Sequence, residues 1–145
     1  MAAIVTLIEI PQALHVAAHP EIFKAPDRLE LEAQYRIALE RPAVHAWLAE
    51  IDATPVGYVF AVERETEANP VCFAYRWLEL DQIGVRASER RRGIGRALIE
   101  RVFAHARTLG YERVELNTWA FNREAHRAFE ALGFAPRRIR YSRDV

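Results

Sequence analysis

The chain has 145 residues, and its 20 Lys and Arg are balanced by 20 Asp and Glu for a formal net charge of zero. That length reads as one domain over residues 1–145, and the balance leaves no global attraction to nucleic acid or to an anionic membrane. The lone cysteine, Cys72, excludes an intrachain disulfide and suits a reducing, cytoplasmic setting.

Residues 2–8 are apolar, but they lack a basic start and are followed by Glu9 and Pro11, so neither a signal peptide nor a membrane span is expected. Residues 4–10 read instead as an edge strand, and residues 11–18 as a short helix with Pro11 in its first turn. His15 and His19 stand four apart, the spacing of a two-imidazole metal site on a helix. No Glu or Cys completes the set, so no metal is expected and the pair reads as pocket wall or surface. Asp27 followed by Glu30 is a capping-box pattern, with Leu31, Tyr35, Ala38 and Leu39 as the apolar face of a helix closed by Pro42. Residues 43–51 and 56–65 read as a hairpin about Asp52-Ala53-Thr54-Pro55, with Gly57 allowing a kink or a close approach. A polar turn at 66–70 precedes residues 71–75, which could begin the long central strand.

The stretch from Trp77 onward carries the chemistry. Leu78 and Leu80 alternate with Glu79 and Asp81, so a strand here sends two carboxylates to one face. Arg90-Arg91-Arg92-Gly93-Ile94-Gly95-Arg96 follows, and then Leu98, Val102, Ala106 and Leu109 mark one face of a helix. A helix start presents unpaired N–H groups and partial positive charge, and glycines let an anion approach them. A solvated basic loop is the competing reading of the arginines. Gly110 is placed to end the helix, residues 114–119 form the next strand, and a helix from Asn122 to Leu132 ends at Gly133. Residues 134–145 read as one or two closing strands. A nucleotide- or nucleic-acid-binding module would rest on Arg90, Arg91 and Arg92 with the tail residues Arg137, Arg138, Arg140 and Arg143, which the zero net charge disfavours.

Arg90 to Gly95 resembles the Arg/Gln-x-x-Gly-x-Gly/Ala motif of the GCN5-related N-acetyltransferases. Asn122 to Phe134 is similar to a second segment of that family, Asn-x-x-Ala-x-x-(apolar)-Tyr-Glu-x-x-Gly-Phe. The resemblance covers residues 77–134 and implies an α/β (α+β) fold: a mixed, twisted sheet of about six to seven strands, helices on both faces, and strands splayed at an acetyl-CoA site. It implies direct acetyl transfer to a primary amine of a small molecule, peptide or protein. Pantetheine would meet Ile83, Gly84 and Val85, and pyrophosphate the stretch Arg90, Arg91, Arg92, Gly93, Ile94, Gly95 and Arg96. Asn122 would bond the pantetheine, although it can equally cap its helix. Phe23 would border the acceptor cleft, and a homodimer through the closing strands would be in keeping with the family.

An alkylammonium with a pKa near 10.4 is only about 0.1 % neutral at pH 7.4, a handicap of about 4 kcal/mol, so a base or water relay is needed. By resemblance Glu79 stands where several family members have their general base, with Asp81 as the other candidate. Phe129 stands where many members of the family have a Tyr that protonates the leaving thiolate. Tyr141, Tyr75 and Tyr58 are candidate substitutes, and a non-catalytic acyl-CoA sensor is the alternative reading. Cys72 has no base near it in sequence to make it a nucleophile.

Overall fold

The computed structural model describes residues 2–145. Its elements run α1 (Ala2–Ala18), α2 (Arg28–Leu39), β1 (Val44–Ile51), β2 (Thr54–Thr66), β3 (Tyr75–Val85), a short 3-10 turn at Ala87–Glu89, α3 (Ile94–Thr108), β4 (Val114–Leu116) and α4 (Arg123–Ala131). The four strands lie in the order β1-β2-β3-β4, antiparallel except for the parallel pair β3 and β4. The mixed sheet with helices on both faces agrees with expectation. Its size does not, since four strands stand where six to seven were expected: residues 4–10 are helical, β4 stops at Leu116, and residues 134–145 form neither helix nor strand.

The central strand β2 explains the two-sided core. Its run Val56 to Val62 is buried throughout, as a strand covered on both faces must be. Val59 and Ala61 turn to one face, where they meet Leu78, Leu80, Leu98, Ile99 and Val102, with Phe129 and Phe134 alongside. Tyr58 and Phe60 turn to the other, against Leu7 and Ile8 of α1 and Leu31, Tyr35 and Leu39 of α2. That second cluster accounts for the helix at residues 4–10. The stretch is rich in β-branched residues, which favours a strand locally. As a helix it brings Ile4, Leu7 and Ile8 to one face, and covering Tyr58 and Phe60 outweighs local preference. Pro11 therefore lies inside α1 rather than in the first turn of a later helix.

Elsewhere local chemistry decides. Asp27 Oδ1 accepts from the N–H groups of Leu29 and Glu30 at 2.9 and 3.0 Å and starts α2. Asp52 and Ala53, at φ 48° and 60°, form a two-residue hairpin turn between Ile51 and Thr54. Gly57 lies under α3, where a Cβ would come within 3.2 Å of Leu98 Cδ1. Phe134 closes the core beyond α4, its ring 5.5 Å from that of Phe103, and Arg137 donates to Glu115 at 3.0 Å.

Candidate active site

The site forms where β4 leaves β3. The two strands pair only from Leu78–Val114 to Leu80–Leu116, whereas β3 runs on to Val85. A bulge lies at this point: Ala61 opposes Leu80 and Phe60 opposes Gln82, so Asp81 is the extra residue. Beyond the bulge the Arg86 N–H bonds back to Val56 O at 2.7 Å. By two-residue alternation Gln82 and Gly84 also face β2, and the backbone groups of Ile83 and Val85 face the side β4 has vacated. Gly84 thus offers its backbone to the sheet rather than to the opening. Of the open groups, Val85 O receives Arg90 Nε at 3.4 Å.

From Val85 the chain turns through Arg90, Arg91 and Arg92 into α3. Arg91 at φ 60° and Gly93 at φ 82° are both left-handed, so the backbone curls just before the helix. Gly93 caps α3 without a side-chain bond, and its carbonyl accepts from Ala97 N at 2.9 Å, which leaves the N–H groups of Ile94, Gly95 and Arg96 without intrahelical partners. A Cβ on Gly93 would meet nothing within 4 Å, and one on Gly95 only Val85 Cγ2 at 3.9 Å. Both glycines border open space, so a diphosphate fits this end of the helix. Arg90 reaches toward Glu124 at 3.9 Å, Arg92 pairs with Glu89, and Arg96 lies 4.0 Å from Glu100.

A cleft of about 600 Å³ opens beside the bulge. Its floor is Glu79, Leu80, Asp81, Gln82 and Ile83, so both acids border the cleft together with residues that strict alternation would send to the other face. The opposite walls include His15 of α1, Phe23 and Lys24 of the connecting loop, Glu30 and Tyr35 of α2, and Trp119, Asn122 and Phe129 around α4. Asn122 caps α4, its Oδ1 accepting from Ala125 N at 3.2 Å, while bordering the same cleft. Phe129 borders it too and packs edge-on against Phe134, 5.8 Å between centroids.

The acids differ in their partners. Glu79 accepts from Arg64 Nε and Asn117 Nδ2, each at 3.2 Å, so both its oxygens are engaged. Asp81 is exposed at the cleft, yet crowding by protein atoms and then the charge of Glu79 raise its carboxyl above the usual carboxylate range, with Arg64 opposing. Tyr75 stacks on Trp77 at 4.8 Å near the far end of β3, and Tyr141 is 87% exposed on the tail; neither borders the cleft. Tyr58 does, but burial pushes its phenol far above the ordinary value.

Sequence reasoning missed Gln82 and Tyr35. Gln82 joins the cleft floor only because of the bulge, which no residue type announces beyond an Asp inside a strand. Tyr35 fits an apolar helix face by its spacing and packs on Phe60, but its hydroxyl reaches Gln82.

A strand that parts from its parallel neighbour, a glycine-bearing turn into a helix and a carboxylate-lined cleft together make up the candidate site. The acetyltransferase (GNAT) family model matches residues 8–134, and the chain belongs to that family. The rat (Rattus norvegicus) N-acetylaspartate synthetase is 33% identical over 119 residues, covering 82% of this chain and 36% of the relative. The chain therefore spans little more than a third of that protein. The BH1408 protein from Bacillus halodurans, as a tetramutant, has the same fold with a TM-score of 0.91 at 16% identity, covering 99% of this chain and 92% of the other. AAC(6')-Iy bound to the bisubstrate analogue CoA-S-monomethyl-acetylneamine is 26% identical with a TM-score of 0.69, covering 83% and 81%. No helix among the described residues is long and apolar enough to cross a membrane.

Proposed function

We propose that residues 1–145 act as one acetyltransferase domain that moves the acetyl group of acetyl-CoA directly to a primary amine. The observation that carries this reading is the curl from Arg91 to Gly93 with open space above Gly93 and Gly95, set at the mouth of the gap between β3 and β4. There the N–H groups of residues 91–96 hold the pyrophosphate, and Arg90, Arg91 and Arg92 add charge. The outward groups of Ile83 and Val85 take the pantetheine as an added strand would be taken, with Asn122 and Phe129 on its other side.

Asp81 is the better base. Its raised pKa brings it nearer the task, whereas Glu79 is already engaged by Arg64 and Asn117 and serves to orient the ammonium. Asp81 takes the amine proton directly or through water. The nitrogen then attacks the thioester carbonyl, the C–N bond forms and the C–S bond breaks. Phe129 has no proton to give and buried Tyr58 holds its own, so the second nitrogen proton, shed as the amide forms, passes through water to the departing thiolate. Cys72 is exposed and outside the cleft, which favours direct transfer over an acyl-enzyme.

The test is free-thiol release from acetyl-CoA with a panel of amines. Acceptor-dependent release that Asp81→Asn removes supports the proposal. Tight coenzyme binding without release from any amine favours the acyl-CoA sensor, the reading that Phe129 recommends. No binding of acetyl-CoA overturns both.

A further inference from the structure

The cleft has an aromatic corner opposite its carboxylates. His15 and Phe23 stack with ring centroids 5.0 Å apart and planes 25° from parallel, and Trp119 stands against Phe23 at 5.3 Å and 77°. Behind them His19 touches Trp119 at 5.0 Å, and both histidines contact Phe121. The end of α1 and the loop after β4 thus meet across the cleft. His15, Phe23 and Trp119 line it together with Glu79 and Asp81, and Trp119 stays 40% exposed. Two rings set nearly at right angles offer a third ring a face on one side and an edge on the other.

The charges lining the cleft are one-sided. Asp27, Glu30, Glu79 and Asp81 border it, against Lys24. Asp27 is occupied in capping α2 and Glu79 has Arg64, while Asp81 has no ion pair among the described residues. Burial, and then His19, lower the pKa of His15, so that ring stays neutral and does not repel a cation.

We propose that the acceptor is an aralkylamine without a carboxylate, its ammonium group on Asp81 and Glu79 and its ring in the corner of Phe23 and Trp119. This rests on the acetyl-transfer reading and names its substrate class. An acidic amino acid, the kind of acceptor in the printed name of the rat relative, would bring its own carboxylates against Asp81 and Glu30 with Lys24 to answer them. Plain alkylamines satisfy the carboxylates but leave the rings uncovered.

Thiol release is measured with phenethylamine, butylamine and L-aspartate, each with saturating acetyl-CoA. The expected kcat/KM for phenethylamine exceeds that for butylamine about tenfold, the order that filling one apolar pocket gives, and aspartate is the poorest. Trp119→Ala should bring the phenethylamine-to-butylamine ratio close to one through KM, and Trp119→Phe should restore part of it, with both variants checked by melting. Equal use of butylamine, preferred use of aspartate, or an unchanged ratio in folded Trp119→Ala overturns the inference while leaving acetyl transfer standing. No release from any amine overturns the transfer reading and the inference with it.

Discussion

Tyr35 on α2 donates its hydroxyl to Gln82 Oε1 on β3 at 2.8 Å, fastening the helix to the strand residue that stands beside Asp81. Tyr58 reaches the same oxygen from β2 at 3.5 Å. With its oxygen held on that side, the Gln82 amide is turned by its neighbours rather than by solvent, and the cleft floor is set before any substrate arrives.

Tyr35→Phe keeps the ring on Phe60 and removes this donor. Loss of one partly buried hydrogen bond should cost about 1 kcal/mol, seen as a lower melting temperature. Because Gln82 is released next to Asp81, KM for the amine should rise, while affinity for acetyl-CoA, proposed to rest on the outward backbone of Ile83 and Val85, stays as it was. Steady-state kinetics with each substrate varied in turn would check this.

Asp81→Asn and Glu79→Gln should separate base from orienter. If Asp81 takes the proton, its amide variant should lose about 10²- to 10⁴-fold in kcat, whereas Glu79→Gln should act mainly on KM. Stability should move the other way. The Asp81 carboxyl is raised in the folded chain, so the folded state binds its proton more tightly than the unfolded one. Stability is then lost as pH climbs from the ordinary Asp value through the raised one. At neutral pH Asp81→Asn should melt higher than the parent. A variant that is both slower and less stable would contradict the assignment.

These contrasts show where the sequence was readable. Between Trp77 and Phe134 short-range rules governed: alternation in β3, Gly93 at a left-handed turn, Asn122 as a cap and Gly133 at the end of α4. Leu98, Val102 and Ala106 are buried as their spacing required. What could not be read depended on partners far away in sequence. The β-branched residues before Glu9 became helical because Tyr58 and Phe60 needed a cover, and the extra residue at Asp81 exists only relative to β2. In the tail, Ile139 and Tyr141 alternate with arginines like a strand, yet they are 69% and 87% exposed, and no strand pairs with them among the described residues.

Gly95 offers a test in which stability and binding part company. It lies in the first turn of α3 with room for a methyl group, its Cβ meeting only Val85 Cγ2 at 3.9 Å. Alanine is the better helix former by up to about 1 kcal/mol, so Gly95→Ala should melt higher without ligand. The family motif admits alanine at this position, so the methyl group should leave the proposed pyrophosphate site usable. A ligand at about a hundred times its dissociation constant adds about 2.7 kcal/mol, and that gain from acetyl-CoA should persist in Gly95→Ala and shrink in Gly93→Asp, whose carboxylate would repel the phosphates. A full thermal shift in folded Gly93→Asp would place the phosphates elsewhere.

Acid stability should depend on a cluster on the α3 side of the sheet. Glu63 on β2 meets His45 Nε2 of β1 at 2.9 Å and receives the Tyr111 hydroxyl at 2.5 Å, while the His105 ring of α3 lies 4.3 Å from that of His45 and 5.1 Å from Trp47. His105 Nε2 is buried without a hydrogen-bond partner among the described residues. Burial, then His45, lower the His105 pKa below 6.5, with Arg101 adding to this and Glu63 opposing. The unfolded chain therefore takes up that proton first, and stability begins to fall as pH drops below about 6.5. The bonds from Tyr111 and His45 hold Glu63 below its ordinary value near 4.5, so its contribution is present above that pH and is lost as pH falls further. His105→Phe should flatten the melting temperature between about pH 6.5 and 5 and leave the steeper loss below it. Glu63→Gln should remove the lower step. An unchanged melting profile in both variants would mean that the acid sensitivity of the fold resides in other groups.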